Sequence, residues 1–235
     1  MTKKATLIVS GGMDSATLAY YFASQGYDLH LVGFDYGQRH RKELQSLEAV
    51  AESLVASWEV VDLQALKKAL AGAALTSDDV EVPDGHYTKE TMRITVVPNR
   101  NAIMLAIATG IAVANGSNLV ATGVHSGDHF IYPDCRPQFI DAINEAFILG
   151  TEGHAVDGFH VVAPFVNISK ADIAKIGGEL GVPFALTCSC YKGGDVHCGR
   201  CGTCVERIEA FRLAGVADPT DYAEIDFALA ETGLA

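Results

Sequence analysis

Two short stretches of this 235-residue chain hold residue types and spacings that can do chemistry. The first is Ser10-Gly11-Gly12-Met13-Asp14-Ser15, between an apolar, β-branched run at 6–9 and a stretch at 14–23 with helical apolar spacing at Leu18, Ala19 and Phe22. Adjacent glycines let a backbone turn sharply and bring its N–H groups close to an anion, and a helix N-terminus adds partial positive charge. With the hydroxyls of Ser10 and Ser15 as further donors, this strand, glycine turn and helix read as a phosphate cradle. It is not the kinase-type loop, since no lysine follows the glycines, and the dinucleotide fingerprint G-x-G-x-x-G is absent.

The second stretch is the cysteine cluster. Five of the six cysteines lie between Cys188 and Cys204, with Cys135 far upstream. A secreted disulfide framework would spread its cysteines to tie distant segments, whereas local crowding points to metal. Cys198, Cys201 and Cys204 form two overlapping C-x-x-C turns, with Gly199 and Gly202 supplying the tight bends. Cys190 or Cys188 completes the set, because in an extended stretch both point the same way. Four thiolates close a tetrahedral shell, so one structural zinc per chain is expected, with an iron–sulfur cluster as the alternative.

These stretches need elements to position them. Strand patterns at 6–9, 29–34, 58–61, 119–124 and 160–164 alternate with helix patterns at 14–23, 42–56, 102–114, 137–149 and 169–180. Such alternation predicts an α/β fold, a doubly wound parallel sheet covered on both faces. The helix at 102–114 is apolar on nearly all sides and is expected to be central. The polar stretch 76–95, with its Pro83-Asp84-Gly85 turn, reads as a surface loop near the site. The expected organisation is a nucleotide-binding α/β domain at 1–186, and the cysteine cluster with a helix around 204–213 and a tail as an appendage at 187–235.

Composition removes several function classes. With 49% apolar residues the chain can bury a sizeable core, which excludes disorder. Its 17 Lys plus Arg against 29 Asp plus Glu give a formal net charge of −12, a surface that repels phosphate backbones. The densest basic stretch, Gln38-Arg39-His40-Arg41-Lys42, is short and reads as the start of a solvated helix, so no direct nucleic-acid partner is expected. The apolar stretch at 102–114 is too short to span a bilayer and is interrupted by Thr109 and Gly110. The run Leu7-Ile8-Val9 after Lys3 and Lys4 is too short for an export signal, so no membrane and a cytoplasmic location are expected.

The glycine loop resembles the SGGxDS loop of the N-type ATP pyrophosphatases, the PP-loop superfamily with its adenine-nucleotide alpha hydrolase-like fold. Members bind the pyrophosphate end of ATP and transfer AMP to an acyl or amide oxygen. Phe34-Asp35-Tyr36-Gly37-Gln38, Pro98-Asn99-Arg100-Asn101, Tyr132-Pro133-Asp134-Cys135-Arg136-Pro137 and Cys190-Tyr191-Lys192-Gly193-Gly194, leading into the cysteine cluster, resemble one branch, the 7-cyano-7-deazaguanine (preQ0) synthases of queuosine biosynthesis. The resemblance covers 10–211. It implies an ATP-dependent carbon–nitrogen ligase that converts 7-carboxy-7-deazaguanine and ammonia to the nitrile by two successive adenylations, releasing two AMP and two pyrophosphate. It further implies a homodimer, ammonia from solution or a partner, and Cys190, Cys198, Cys201 and Cys204 as the zinc ligands.

Roles follow from the resemblance. Ser10, Gly11, Gly12, Asp14 and Ser15 would hold the ATP phosphates, and Asp14 implies Mg²⁺, since a carboxylate beside a triphosphate otherwise repels it. Tyr36 and Gln38, past the carboxyl end of the second strand, are placed to contact adenosine, and Gly123 belongs to the same nucleotide site. Arg100 would offset charge on phosphate or substrate carboxylate, its plain alternative being an ion pair at a helix start. Lys170, just after Ser169 at a helix N-terminus, is misplaced on dipole grounds, which points to phosphate. Asp14, Arg100 and Lys170 are therefore the catalytic candidates.

For the deazaguanine, the candidates are Asn99, Arg100, Asp128, Tyr132, Asp134 and Arg136. Asp128 or Asp134 can accept a ring N–H and an amine together, or can equally cap a turn, and Arg136 can pair with the carboxylate. His125 and His129 read as solvated flanks of that loop. Among rival functions, tRNA thiolation or lysidine formation needs a basic RNA surface that is missing, and a bare zinc-ribbon module has no use for the glycine loop. A relative that stops at the amide is not separated by the residues alone.

Overall fold

The computed structural model describes residues 3–38, 40–66, 81–86, 95–130 and 132–233. Strands β1 (Lys4–Ile8), β2 (Asp28–Asp35), β3 (Ser57–Asp62), β4 (Leu119–Ala121) and β5 (His160–Val162) form one sheet in the order β3-β2-β1-β4-β5. Every neighbouring pair is parallel, with Ala5 facing Leu29 on one side and Leu119 on the other. Side chains alternate between two apolar layers, as the strand period of two requires. Leu7, Leu31 and Ala121 enter one layer, while Val32, Phe34 and Val120 enter the other.

The first layer is covered by α1 (Met13–Ser24), α2 (Lys42–Leu54) and α5 (Lys170–Glu179). The second is covered by α3 (Arg100–Asn115) and α4 (Pro137–Gly150). The expected doubly wound α/β architecture is therefore present among the described residues. The strand order reverses direction at β1, and open α/β sheets bind ligands outside the carboxyl ends of their strands at such a switch point. The glycine loop leaves β1 there.

Two expectations are corrected. Helix α3 is not enclosed on all sides: Met104, Leu105, Ala108 and Ala112 are buried, while Ala106, Gly110 and Ala114 are exposed. Small residues made the helix look uniformly apolar, yet they need no cover. The segment after the cysteines also carries more structure than a tail. Beyond α6 (Gly202–Ala214), α7 (Ile225–Thr232) seats Ala228 against Val205 and Ile208.

Of the stretch 76–95, only 81–86 and 95 lie among the described residues. There Asp84 bridges to Cys201 and the Gly85 amide donates to the Arg200 carbonyl. No helix among the described residues is long and apolar enough to cross a membrane.

Candidate active site

The glycine loop is held open by its own serines. Ser15 Oγ accepts from the amides of Ser10 at 3.2 Å and Gly11 at 3.3 Å and donates to the Gly12 carbonyl. Gly12 caps α1 with no side chain, so the first amides of the helix remain available to an anion. Gly11 is required by both conformation and space. Its φ is +96°, and a Cβ there would stand 2.1 Å from the Glu43 carbonyl oxygen.

One cavity opens over the carboxyl ends of β1, β2 and β4, and Ser10, Gly12, Asp14, Ser15 and Gly123 form its floor. Lys170 enters from the start of α5 and points its ammonium at two carboxylates, Asp14 Oδ2 at 3.5 Å and Glu206 Oε2 at 3.1 Å. Burial works against that charge, but Asp14 and Glu206 outweigh it and hold the amine protonated well above its usual value. Ser169 and Asp172 complete the helix start with a reciprocal cap. This frees Lys170 from the helix dipole problem, since a carboxylate sits in the same turn.

The second carboxylate oxygen of Asp14, Oδ1, is buried with no hydrogen-bond partner among the described residues. An orphaned carboxylate oxygen beside a phosphate cradle fits a hard divalent cation, the chemistry expected of Mg²⁺.

Arg100 opens α3 and donates to the Tyr36 hydroxyl at 3.3 Å. Desolvation opposes its charge, but the phenols of Tyr36, Tyr191 and Tyr132 and the Cys135 thiol raise its value, so it stays cationic. Tyr132 lines the same wall and shares a 2.8 Å hydrogen bond with Thr95 Oγ1. Asp128 also lines the cavity, with its Oδ2 accepting from the His125 amide at 3.4 Å, so it caps its turn while facing the site.

Besides Gly11, which packs under the Glu43 carbonyl, four candidates stand outside the cavity walls. Gln38 is buried, but its side chain turns back to accept from the Tyr36 amide and donate to the Phe34 carbonyl. Asp134 accepts from the Asn101 amide at 3.0 Å and so caps α3. Arg136 is exposed and donates to the His129 carbonyl at 2.7 Å. Asn99 is exposed with φ +61° at the cap of α3.

Two histidine readings also change. His125 is 4% exposed and accepts from the Gly127 amide, and His129 is partly buried. His40 is buried rather than part of a solvated helix start, although Arg41 beside it is exposed.

The sulfurs of Cys190, Cys198, Cys201 and Cys204 all lie within 4.8 Å of one another. Tetrahedral zinc with roughly 2.3 Å bonds needs sulfurs roughly 3.8 Å apart. Cys198–Cys204 at 3.9 Å and Cys201–Cys204 at 3.5 Å match that spacing, so these residues fit the ion. Backbone amides of Cys198, Arg200 and Cys201 donate to the sulfurs of Cys190 and Cys198, as thiolate ligands need.

Cys188 is outside this group. Its amide donates to the Gly11 carbonyl at 3.0 Å, and it lines the same cavity as the glycine loop. The strap through Thr187, Cys188 and Ser189 thus ties the cysteine cluster to the glycine loop. Arg207 anchors that strap, donating to Thr187 Oγ1 at 2.7 Å and Ser189 Oγ at 3.3 Å.

Sequence reasoning missed Glu206, His40, Glu43 and Tyr191, all of which line the cavity. Glu206 looks like any charge on a helix surface, and only the approach of α6 to α5 brings it to Lys170. For His40 and Glu43 the i, i+3 spacing was visible, but the neighbouring Arg41 and Lys42 disguised it as a solvated turn.

Comparison with known proteins places the chain among one group. The profile described as queuosine biosynthesis protein QueC matches residues 4–215. A 7-cyano-7-deazaguanine synthase from Ruegeria sp. is 58% identical over 225 residues, covering 95% of each chain. Another from Rhizobium meliloti is 57% identical over 233 residues, covering 98% of this chain and 96% of the other. Among solved structures, NMN synthetase from Francisella tularensis is similar in fold alone, at 14% identity and a TM-score of 0.50, over 99% of this chain and 85% of that one.

Proposed function

Because this chain belongs to the QueC family of queuosine biosynthesis proteins, we propose that it builds the nitrile of 7-cyano-7-deazaguanine from 7-carboxy-7-deazaguanine and ammonia, spending two ATP. One observation carries the reading. The glycine loop, the Asp14–Lys170 pair and Arg100 share one cavity at the switch point of the sheet, so anion cradle and charge-neutralising groups converge on one space.

The chemistry follows from the atoms. A carboxylate is a poor electrophile, and oxide cannot leave from it near neutral pH. Attack of the carboxylate oxygen on the α-phosphorus expels pyrophosphate and gives an acyl-AMP, from which ammonia displaces AMP to form the amide. The amide oxygen is then adenylated in turn, and its departure with AMP leaves carbon triply bonded to nitrogen.

In this scheme positioning and charge do most of the work. The amides at the start of α1, with Ser10 and Ser15, hold the phosphate tail. Lys170 and Arg100 balance charge that builds on the α-phosphate and the carboxylate. Mg²⁺ at Asp14 would supply Lewis-acid neutralisation of the pyrophosphate. Zinc at the four cysteines would be structural, its shell closed by protein thiolates. Asp128 and Tyr132 supply acceptors for the pyrimidine edge of the base. An acidic surface is compatible with a cytoplasmic enzyme that works on a free base rather than on nucleic acid.

The test is incubation with 7-carboxy-7-deazaguanine, ammonia, Mg²⁺ and ATP, followed by mass spectrometry. Nitrile accompanied by two AMP per product supports the reading. Amide as the end product, or turnover without AMP, refutes it.

A further inference from the structure

His40 sits between β2 and α2, is 3% exposed, and forms part of the cavity wall beside Glu43. Its Nε2 lies 3.3 Å from Glu43 Oε1, an oxygen that also accepts from Gln38 Nε2 at 3.3 Å. Its ring lies against that of Tyr191, with centroids 4.9 Å apart. Its Nδ1, in contrast, is buried with no hydrogen-bond partner among the described residues. Buried ring nitrogens are normally paired, so one left without a partner on a residue of the cavity wall calls for an explanation. A carboxylate this close to Nε2 favours the tautomer with the ring proton there, which leaves the lone pair on Nδ1, the arrangement of a general base with a carboxylate behind it.

Three other titratable groups around the cavity are already committed. Lys170 is held protonated between Asp14 and Glu206, and burial pushes the Cys135 thiol up. His125 accepts from Gly127 at Nδ1 and has Asp128 3.7 Å from its Nε2. Glu43 also ties this wall to the glycine loop, since a Cβ at Gly11 would stand 2.1 Å from its carbonyl oxygen.

We propose that His40, oriented by Glu43, is the base that removes protons from the reacting nitrogen. The inference rests on the nitrile reading above. When ammonia attacks the acyl-AMP, the new nitrogen carries a positive charge. His40 Nδ1 takes one N–H proton as the C–O bond to AMP breaks, with its electron pair leaving on the phosphate. After the second adenylation the nitrogen still carries two hydrogens, as C=NH₂⁺. Nδ1 accepts the first proton and passes it to solvent. It then accepts the second while that N–H electron pair becomes the third C–N bond and AMP departs with its oxygen. Glu43 is a positioning residue, stabilising each imidazolium as it forms.

The experiment separates nitrogen chemistry from nucleotide binding. ATP–pyrophosphate exchange dependent on 7-carboxy-7-deazaguanine needs only attack by the carboxylate oxygen, with no nitrogen proton to remove. In His40→Ala, nitrile formation should fall by about 10²–10⁴-fold, the usual worth of a general base, while exchange falls far less. Added imidazole should restore part of the lost rate. His40→Gln keeps a polar group of similar size and should show the same split if the alanine variant folds poorly. Glu43→Gln should show a smaller split, which Glu43→Asp partly reverses.

Parallel loss of exchange and nitrile formation overturns the proposal, since His40 would then be a nucleotide-binding or structural group. Unchanged nitrile formation overturns it as well. If the unaltered enzyme exchanges pyrophosphate yet ends at the amide, the nitrile reading fails instead. The His40 split is then scored on amide formation, which also requires a proton to leave nitrogen.

Discussion

Replacing Arg207 with methionine tests how the cysteine-bearing segment supports the glycine loop. Arg207 is wholly buried, and its guanidinium donates to Asp218 Oδ1 at 3.1 Å, Thr187 Oγ1 at 2.7 Å, Ser189 Oγ at 3.3 Å and the Phe184 carbonyl at 3.2 Å. Methionine fills much of that volume but strands the carboxylate. Removing one partner of a buried pair costs about 3–5 kcal/mol. The low end applies here, because Asp218 keeps the Tyr222 hydroxyl at 2.6 Å and the Thr220 amide at 3.2 Å, and Thr187 still donates to Phe184. A loss of about 3 kcal/mol in a chain of this size lowers Tm by about 6–12 °C.

Thermal and urea denaturation of the metal-loaded protein, followed by circular dichroism, would measure that loss. Thr187 and Ser189 flank Cys188, whose amide holds Gly11. Loosening the strap should therefore also raise the KM for ATP about fivefold, the equivalent of one net hydrogen bond. The double variant Arg207→Met with Asp218→Asn should recover more than half of the lost stability. A Tm within about 2 °C of the unaltered protein refutes the buried-pair reasoning. A large fall in Tm with an unchanged KM refutes the coupling through the strap.

Further expectations concern the loop, the metal and pH. Asp14→Ala should fold normally by circular dichroism yet form no AMP in a coupled assay, and retained activity would remove Asp14 from the phosphate site. Gly11→Ala forces φ +96° on a residue with a Cβ and drives that Cβ into the Glu43 carbonyl, so calorimetry should show ATP binding weakened at least about tenfold. Atomic absorption should find zinc near one per chain, and Cys201→Ser should lose both the zinc and several degrees of Tm; iron and a visible absorbance would instead identify a cluster. Burial opposes the charge of Asp218, but Arg207 outweighs it and holds the carboxyl below its usual value. The stability this supplies is fully present above the unfolded value of about 3.9 and is lost as pH falls through the lower folded value. Urea midpoints should therefore drop below about pH 4, and less so in Asp218→Asn.

Much of this protein is legible in local pattern, because the signals depend on near neighbours. Apolar alternation and helical spacing place all five strands and the helices flanking them to within a few residues. Ser-Gly-Gly-x-Asp-Ser between strand and helix marks the anion cradle, since a tight turn and a helix N-terminus are local properties. The cysteine spacing marks a cluster of thiols that could hold one ion for the same reason.

What lies far apart in the chain was decided only by folding. Gln38 and Asp134 sit in motifs that suggest ligand contact, yet their side chains are consumed by the backbone around them. Whether Cys188 or Cys190 joins the sulfur cluster depends on the strap's tie to Gly11, 177 residues away in sequence. The position of Lys170 suggested a phosphate contact, but its two carboxylate partners, Asp14 and Glu206, come from other helices whose packing no spacing rule describes. The unpartnered nitrogen of His40 depends on Tyr191 and Glu43 closing around the ring. Burial and pairing arise from the whole assembly of layers, so composition and motif alone could not reveal them.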